Sequence, residues 1–123
     1  MKQKILVIED NGQNRYLIGF ILEKHGYEVI QAKDGFEGIE LANEVNPALI
    51  LLDIQLPLMD GYTVARKLRC NPELANVPII AVTSYAMVGD RERVLAAGCT
   101  GYIEKPINPE TFMTEVERHL PVS

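Results

Sequence analysis

The stretch that decides the fold is LILLDIQLPLMDG, Leu49–Gly61. With the preceding alanine it gives an unbroken apolar run, Ala48–Leu52, that stops on a single carboxylate, Asp53. A loop with a proline, an aspartate and a glycine follows. So short an apolar run, with no polar alternation, suits a strand covered on both faces, as in a parallel sheet. Gly61 reads as a loop glycine needed to enter the next helix, with no chemistry of its own.

Similar runs recur on either side: Ile5–Ile8, Val29–Ile30, Ile79–Val82 and Tyr102–Ile103. Between them lie longer segments with helical spacing. Leu17, Ile18, Ile21 and Leu22 form one apolar face, Phe36, Ile39 and Ala42 a second, and Val64 with Leu68 a third. Phe112, Val116 and Leu120, at intervals of four, form the last. The helix spanning Val88–Ala97 is the least regular, because Asp90, Arg91, Glu92 and Arg93 interrupt its apolar face.

The punctuation agrees. His25-Gly26 reads as a helix end, since glycine takes the left-handed conformation beyond a C-cap. Asn46-Pro47 precedes the third strand and Val77-Pro78 opens the fourth. Asn108-Pro109 pairs an N-cap residue with a proline at the first helical position. Five strands alternating with five helices predict an α/β domain: a doubly wound parallel sheet, order 2-1-3-4-5, flavodoxin-like. In that order the chain reverses between strands one and three, and ligands bind at the carboxyl ends of the flanking strands.

Composition narrows the function classes. The 123 residues fit one domain, and 47% hydrophobic with 24% charged residues is ordinary globular usage. A net charge of −5 disfavours a nucleic-acid surface. No apolar run is long enough to span a membrane. After Met1-Lys2 the run Ile5–Ile8 meets Glu9-Asp10 at once, which is no export signal, so the expected location is cytoplasmic. Cys70 and Cys99 have no metal-type spacing and read as reduced, buried, structural residues. His25 and His119 sit at helix ends, where a histidine suits the dipole.

The chemistry gathers at the strand ends. Strand one ends in Glu9-Asp10, strand three in Asp53, strand four in Thr83-Ser84 and strand five in Glu104-Lys105-Pro106. The proposed order brings these groups to one crevice. Two carboxylates ~6 Å apart repel by about 3 kcal/mol at an effective dielectric near 20. A raised pKa, splaying into water or a hard divalent cation would each relieve this. Magnesium takes oxygen ligands and commonly uses one or two carboxylates plus phosphate oxygens. Asp10 and Asp53 suit direct ligation, and Glu9 ligation through water. Any one of these acids alone would be ordinary turn chemistry, but the set together favours a functional site. It suits phosphoryl transfer, with Asp53 as nucleophile, Lys105 as a point charge on a phosphoryl oxygen and the Thr83 hydroxyl as a further donor.

Four pieces in register resemble the receiver domain of bacterial two-component response regulators. They are ILVIEDN (Ile5–Asn11), LILLDIQLPLMDG, AVTSYA (Ala81–Ala86) and GYIEKPI (Gly101–Ile107). They span nearly the whole chain, so residues 1–123 are read as one receiver domain. The opening EDNGQNR and the length are most similar to single-domain regulators of the DivK type.

The resemblance implies that Asp53 is the phosphoacceptor and Glu9 and Asp10 the acidic pair. It makes the backbone carbonyl of Gln55 the third protein ligand to Mg2+. It implies that Thr83 is the switch hydroxyl, Tyr102 the switch aromatic and Lys105 the invariant lysine, with a cis Lys105–Pro106 peptide. Gln55 and Tyr85 would lie over the site and tune the lifetime of the phosphate. The implied donors are a histidine kinase or a histidine phosphotransfer protein. The implied output is binding of another protein through the fourth helix, fifth strand and fifth helix, not enzymatic turnover of a foreign substrate.

Three rivals fit less well. A haloacid dehalogenase-type phosphatase would need a second aspartate two residues after the nucleophile, where Gln55 stands. A flavodoxin-like carrier would need a Ser/Thr/Gly-rich phosphate loop where Glu9-Asp10 stands. A receiver-shaped module that never takes phosphate would not need Asp10, Asp53, Thr83 and Lys105 together.

Overall fold

A computed structural model describes residues 2–84 and 89–120. The order is β1 (Lys4–Ile8), α1 (Gly12–Lys24), β2 (Glu28–Ala32), α2 (Gly35–Val45), β3 (Leu49–Asp53), α3 (Gly61–Arg69), a short 3-10 turn (Pro72–Leu74), β4 (Ile79–Thr83), α4 (Asp90–Ala96), β5 (Gly101–Glu104) and α5 (Pro109–His119). Capping fixes where the helices start. Asn11, Asp34, Asp60 and Asn108 each accept a hydrogen bond from a backbone N–H in the first turn of α1, α2, α3 and α5. Gly89, with φ +97, precedes α4 and brings no side-chain cap. At the other ends, Gly26 has φ +90 and Asn46 φ +50, the left-handed geometry that stops a helix.

The five strands are all parallel, in the order β2-β1-β3-β4-β5. The predicted order is therefore the observed one, and the reversal falls between β1 and β3. Registers run Ile8↔Leu52 between β1 and β3, Asp53↔Val82 between β3 and β4, and Thr83↔Glu104 between β4 and β5. The carboxyl ends are thus level, which sets the end groups side by side.

Alternation along each strand divides the core in two. Leu6, Ile8, Ile50, Leu52, Ile79 and Ala81 face α2 and α3 on one side. Ile5, Val7, Leu49, Leu51, Ile80 and Val82 face α1 and α5 on the other, around the fully buried Phe112. Every residue of β3 and β4 is buried, which is why these strands read as continuous apolar runs.

Two expectations need correction. Phe36 is exposed, and α2 meets the sheet through Gly38, Ile39 and Ala42. Gly38 faces Ile8 so closely that an added Cβ would lie 2.5 Å from its Cδ1, so even an alanine there would displace the Ile8 side chain. Cys70 is exposed at the end of α3, whereas Cys99 is buried as expected, its thiol pushed up to about 11 by burial against the opposing pull of Arg69. The irregular fourth helix begins at Asp90; Val88, like Tyr85 and Met87, lies outside the described residues.

Candidate functional site

Glu9 ends the first strand with its side chain turned inward, 1% exposed. Its N–H bonds Ala32 C=O at 3.0 Å, which carries the sheet one residue past β1. Its Oε2 accepts from Asn11 N–H at 3.2 Å. Asp10, next in the chain, is exposed. Asp53 is the last residue of β3, 2% exposed. Its Oδ1 accepts from Gln55 N–H at 2.9 Å and its Oδ2 from Lys105 Nζ at 3.2 Å. Lys105 reaches both acids, with Nζ also 3.1 Å from Glu9 Oε1. Its backbone N–H donates to Thr83 C=O at 2.8 Å, and its bond to Pro106 is cis, as expected.

Carboxylate oxygens of Glu9, Asp10 and Asp53 lie within 4.8 Å of one another. The structure therefore brings together Glu9, Asp10, Asp53 and Lys105, with Thr83 buried at the adjacent strand end. Tyr102 stands apart on β5, on the face opposite the buried Ile103, and is 36% exposed. The Gln55 backbone holds Asp53, while its side-chain Nε2 is shielded from solvent with no hydrogen-bond partner among the described residues. His25 and His119 stay outside the cluster: His25 Nδ1 lies 2.9 Å from Ile21 O, and His119 packs over Gly101.

The electrostatics follow from burial. Desolvation, reinforced by the hydrogen bond and charge of Asp53 and opposed by Lys105, raises the Glu9 carboxyl to about 7. Burial alone would lower the Lys105 pKa, but the two carboxylates outweigh it and the net shift is upward. Three acids cluster beside one lysine that pairs with two of them, Glu9 and Asp53, which leaves an excess of negative charge. Hard, closely spaced oxygens of this kind suit a divalent cation such as magnesium.

Sequence reasoning did not single out Arg15. From α1 its Nη1 donates to Glu9 C=O at 2.8 Å and its Nε to Gln31 Oε1 at 3.2 Å. A lone polar residue on a half-exposed helix face carries no pattern that would mark it.

Five parallel strands in a doubly wound sheet thus carry three acids and a lysine at their carboxyl ends. The chain belongs to the response regulator receiver domain family, whose profile matches residues 5–117. It is 42% identical over 120 residues to the polar-differentiation response regulator DivK of Brucella ovis, covering 98% of both chains. Chemotaxis protein CheY4 of Vibrio cholerae superposes with a TM-score of 0.94 at 29% identity, covering 98% of this chain and all of that one. The receiver domain of sensor histidine kinase PA1611 from Pseudomonas aeruginosa superposes with a TM-score of 0.88 at 36% identity. That match covers 96% of this chain and 97% of the other, whose structure holds a magnesium ion in its active-site cleft. The family is a signalling one, whose members work with kinases or phosphotransfer proteins and with output partners. Among the described residues no helix is long and apolar enough to cross a membrane.

Proposed function

We propose that residues 1–123 act as one receiver domain that accepts a phosphoryl group on Asp53 from a histidine kinase or histidine phosphotransfer protein. The observation that carries this reading is Lys105 Nζ held between Asp53 and Glu9 at 3.2 and 3.1 Å, beside three clustered carboxylates. An Asp53 oxygen attacks phosphorus, the P–N bond to the donor imidazole breaks, and the leaving nitrogen takes a proton. Gln55 N–H orients the Asp53 carboxylate before attack. Lys105 turns from the carboxylates toward a phosphoryl oxygen as negative charge arrives.

The residues fit magnesium: Glu9, Asp10, Asp53 and the backbone carbonyl of Gln55 would hold it. When bound, it neutralises charge on the phosphoryl oxygens.

The new charge then draws the Thr83 hydroxyl toward the phosphoryl group. Tyr102, half out of the surface, moves into the space vacated behind it. The surface of α4, β5 and α5 changes with it and binds an output protein, a population shift biased by local contacts. The domain catalyses only its own phosphorylation and slow dephosphorylation, and it works in the cytoplasm.

Intact mass after incubation with phosphoramidate tests the reading. Magnesium-dependent gain of one phosphoryl group, absent in Asp53→Asn, is expected. No gain by a folded native protein that binds magnesium would overturn it.

A further inference from the structure

Asp10 is the least supported member of the acidic cluster. It is exposed, and its carboxylate makes no hydrogen bond or ion pair among the described residues. Its backbone is nevertheless fixed on one side, because the peptide that joins it to Glu9 carries the Glu9 carbonyl, and that carbonyl accepts from Arg15 Nη1 at 2.8 Å. The guanidinium is itself anchored through Nε to Gln31 Oε1 at 3.2 Å on β2. Gln31 in turn is wedged against α1: a Cβ added to Gly19 would lie 3.2 Å from its Nε2. One side chain thus ties α1, β1 and β2 to the peptide bond that aims Asp10.

A planar fork with fixed donors suits this task better than a flexible ammonium. We infer that Arg15 is a positioning residue for the metal-side carboxylates: by clamping the Glu9–Asp10 peptide it holds Asp10 toward Glu9 and Asp53. This inference rests on the proposed role of those carboxylates in holding a divalent cation.

The charge of Arg15 and its geometry pull in opposite directions, which makes the idea testable. A cation near the cluster repels a divalent ion, so deleting it as a mere charge would tighten metal binding. Deleting a positioning group would loosen it, and outer-shell partners of metal ligands are commonly worth tenfold or more in affinity.

The experiment is titration of MgCl2 into 15N-labelled protein, following the amide signals of residues 9–11 and 53–55, with the thermal midpoint recorded in parallel. Arg15→Ala is expected to raise the magnesium Kd by roughly tenfold in a folded protein. Arg15→Lys, which keeps the charge and one donor, is expected to fall between native and Ala. An unchanged or lower Kd in Arg15→Ala overturns the inference. If Arg15→Ala does not fold, Gln31→Ala removes the second anchor. A rise of about twofold to threefold then supports the inference, and an unchanged Kd overturns it. Absence of magnesium binding by the native protein would instead defeat the reading of the site itself.

Discussion

Lys105 donates from Nζ to Asp53 Oδ2 at 3.2 Å, joining two residues 52 positions apart in the chain. The same nitrogen meets Glu9, so one partly buried cation holds two buried acids together. Removing one partner of such a group leaves uncompensated charge in a poorly solvated place. Lys105→Met is therefore expected to cost about 3 kcal/mol at pH 8, with a smaller loss at pH 5. Urea unfolding of the metal-free protein at both pH values checks this.

Glu9 gives the pH dependence its sign. Its carboxyl titrates near 4.5 in the unfolded chain and at about 7 when folded. The folded protein therefore binds more protons between those values, and its stability falls as pH rises through the window. Below about 4.5 this contribution is fully present, and above about 7 it is lost. The loss is on the order of 3 kcal/mol in the metal-free protein. Glu9→Gln is expected to flatten this part of the curve, measured as unfolding free energy from pH 4.5 to 8 against native.

Gly61 begins α3 with its N–H on Ile54 C=O at 2.9 Å. A Cβ there would lie 2.5 Å from Ile54 Cα and 2.7 Å from Asp53 O, both backbone atoms that cannot swing away. Gly61→Ala is expected to destabilise by about 2 kcal/mol. It should also shift the Ile54 amide signal in an 15N correlation spectrum, because relief requires moving the peptide that carries the Asp53 carbonyl.

Leu58 has φ +68 and is 85% exposed. Met59 N–H closes a tight turn around it onto Pro57 C=O at 2.7 Å. A leucine is strained in this region, whereas asparagine tolerates it. Leu58→Asn is expected to raise stability by up to about 1 kcal/mol, read from the thermal midpoint, without changing phosphoramidate labelling.

The fold was legible because β3 and β4 are wholly buried, and burial on both faces writes itself as an uninterrupted apolar run. The edge strand β2 is less covered, so only Val29–Ile30 stood out of a strand that runs Glu28–Ala32. Phe36 misled because helical spacing shows that residues share a face, not which face meets the sheet. There Gly38, silent in any hydrophobic pattern, makes the approach to Ile8 of the sheet, and Gly35 the approach to Val64 of α3. In the site, the convergence of Glu9, Asp10, Asp53 and Lys105 followed from strand order and strand ends. The way Lys105 splits between two acids did not, since it depends on side-chain reach. Neither did the buried Gln55 amide nor the hold of Arg15 on a carbonyl, because backbone acceptors leave no mark in the order of residues.

The sheet has two open rims, β2 and β5, of five and four residues. Glu28 and Gln31 are exposed on one, Tyr102 and Glu104 on the other. Short rims with outward acids are poor templates for a further strand from a neighbouring molecule. With a net charge of −5, copies also repel at neutral pH. Concentrated solutions of the protein should therefore stay colloidally stable near neutrality. They should turn cloudy as the pH is brought toward the isoelectric point near 5.0, where the net charge that keeps copies apart vanishes.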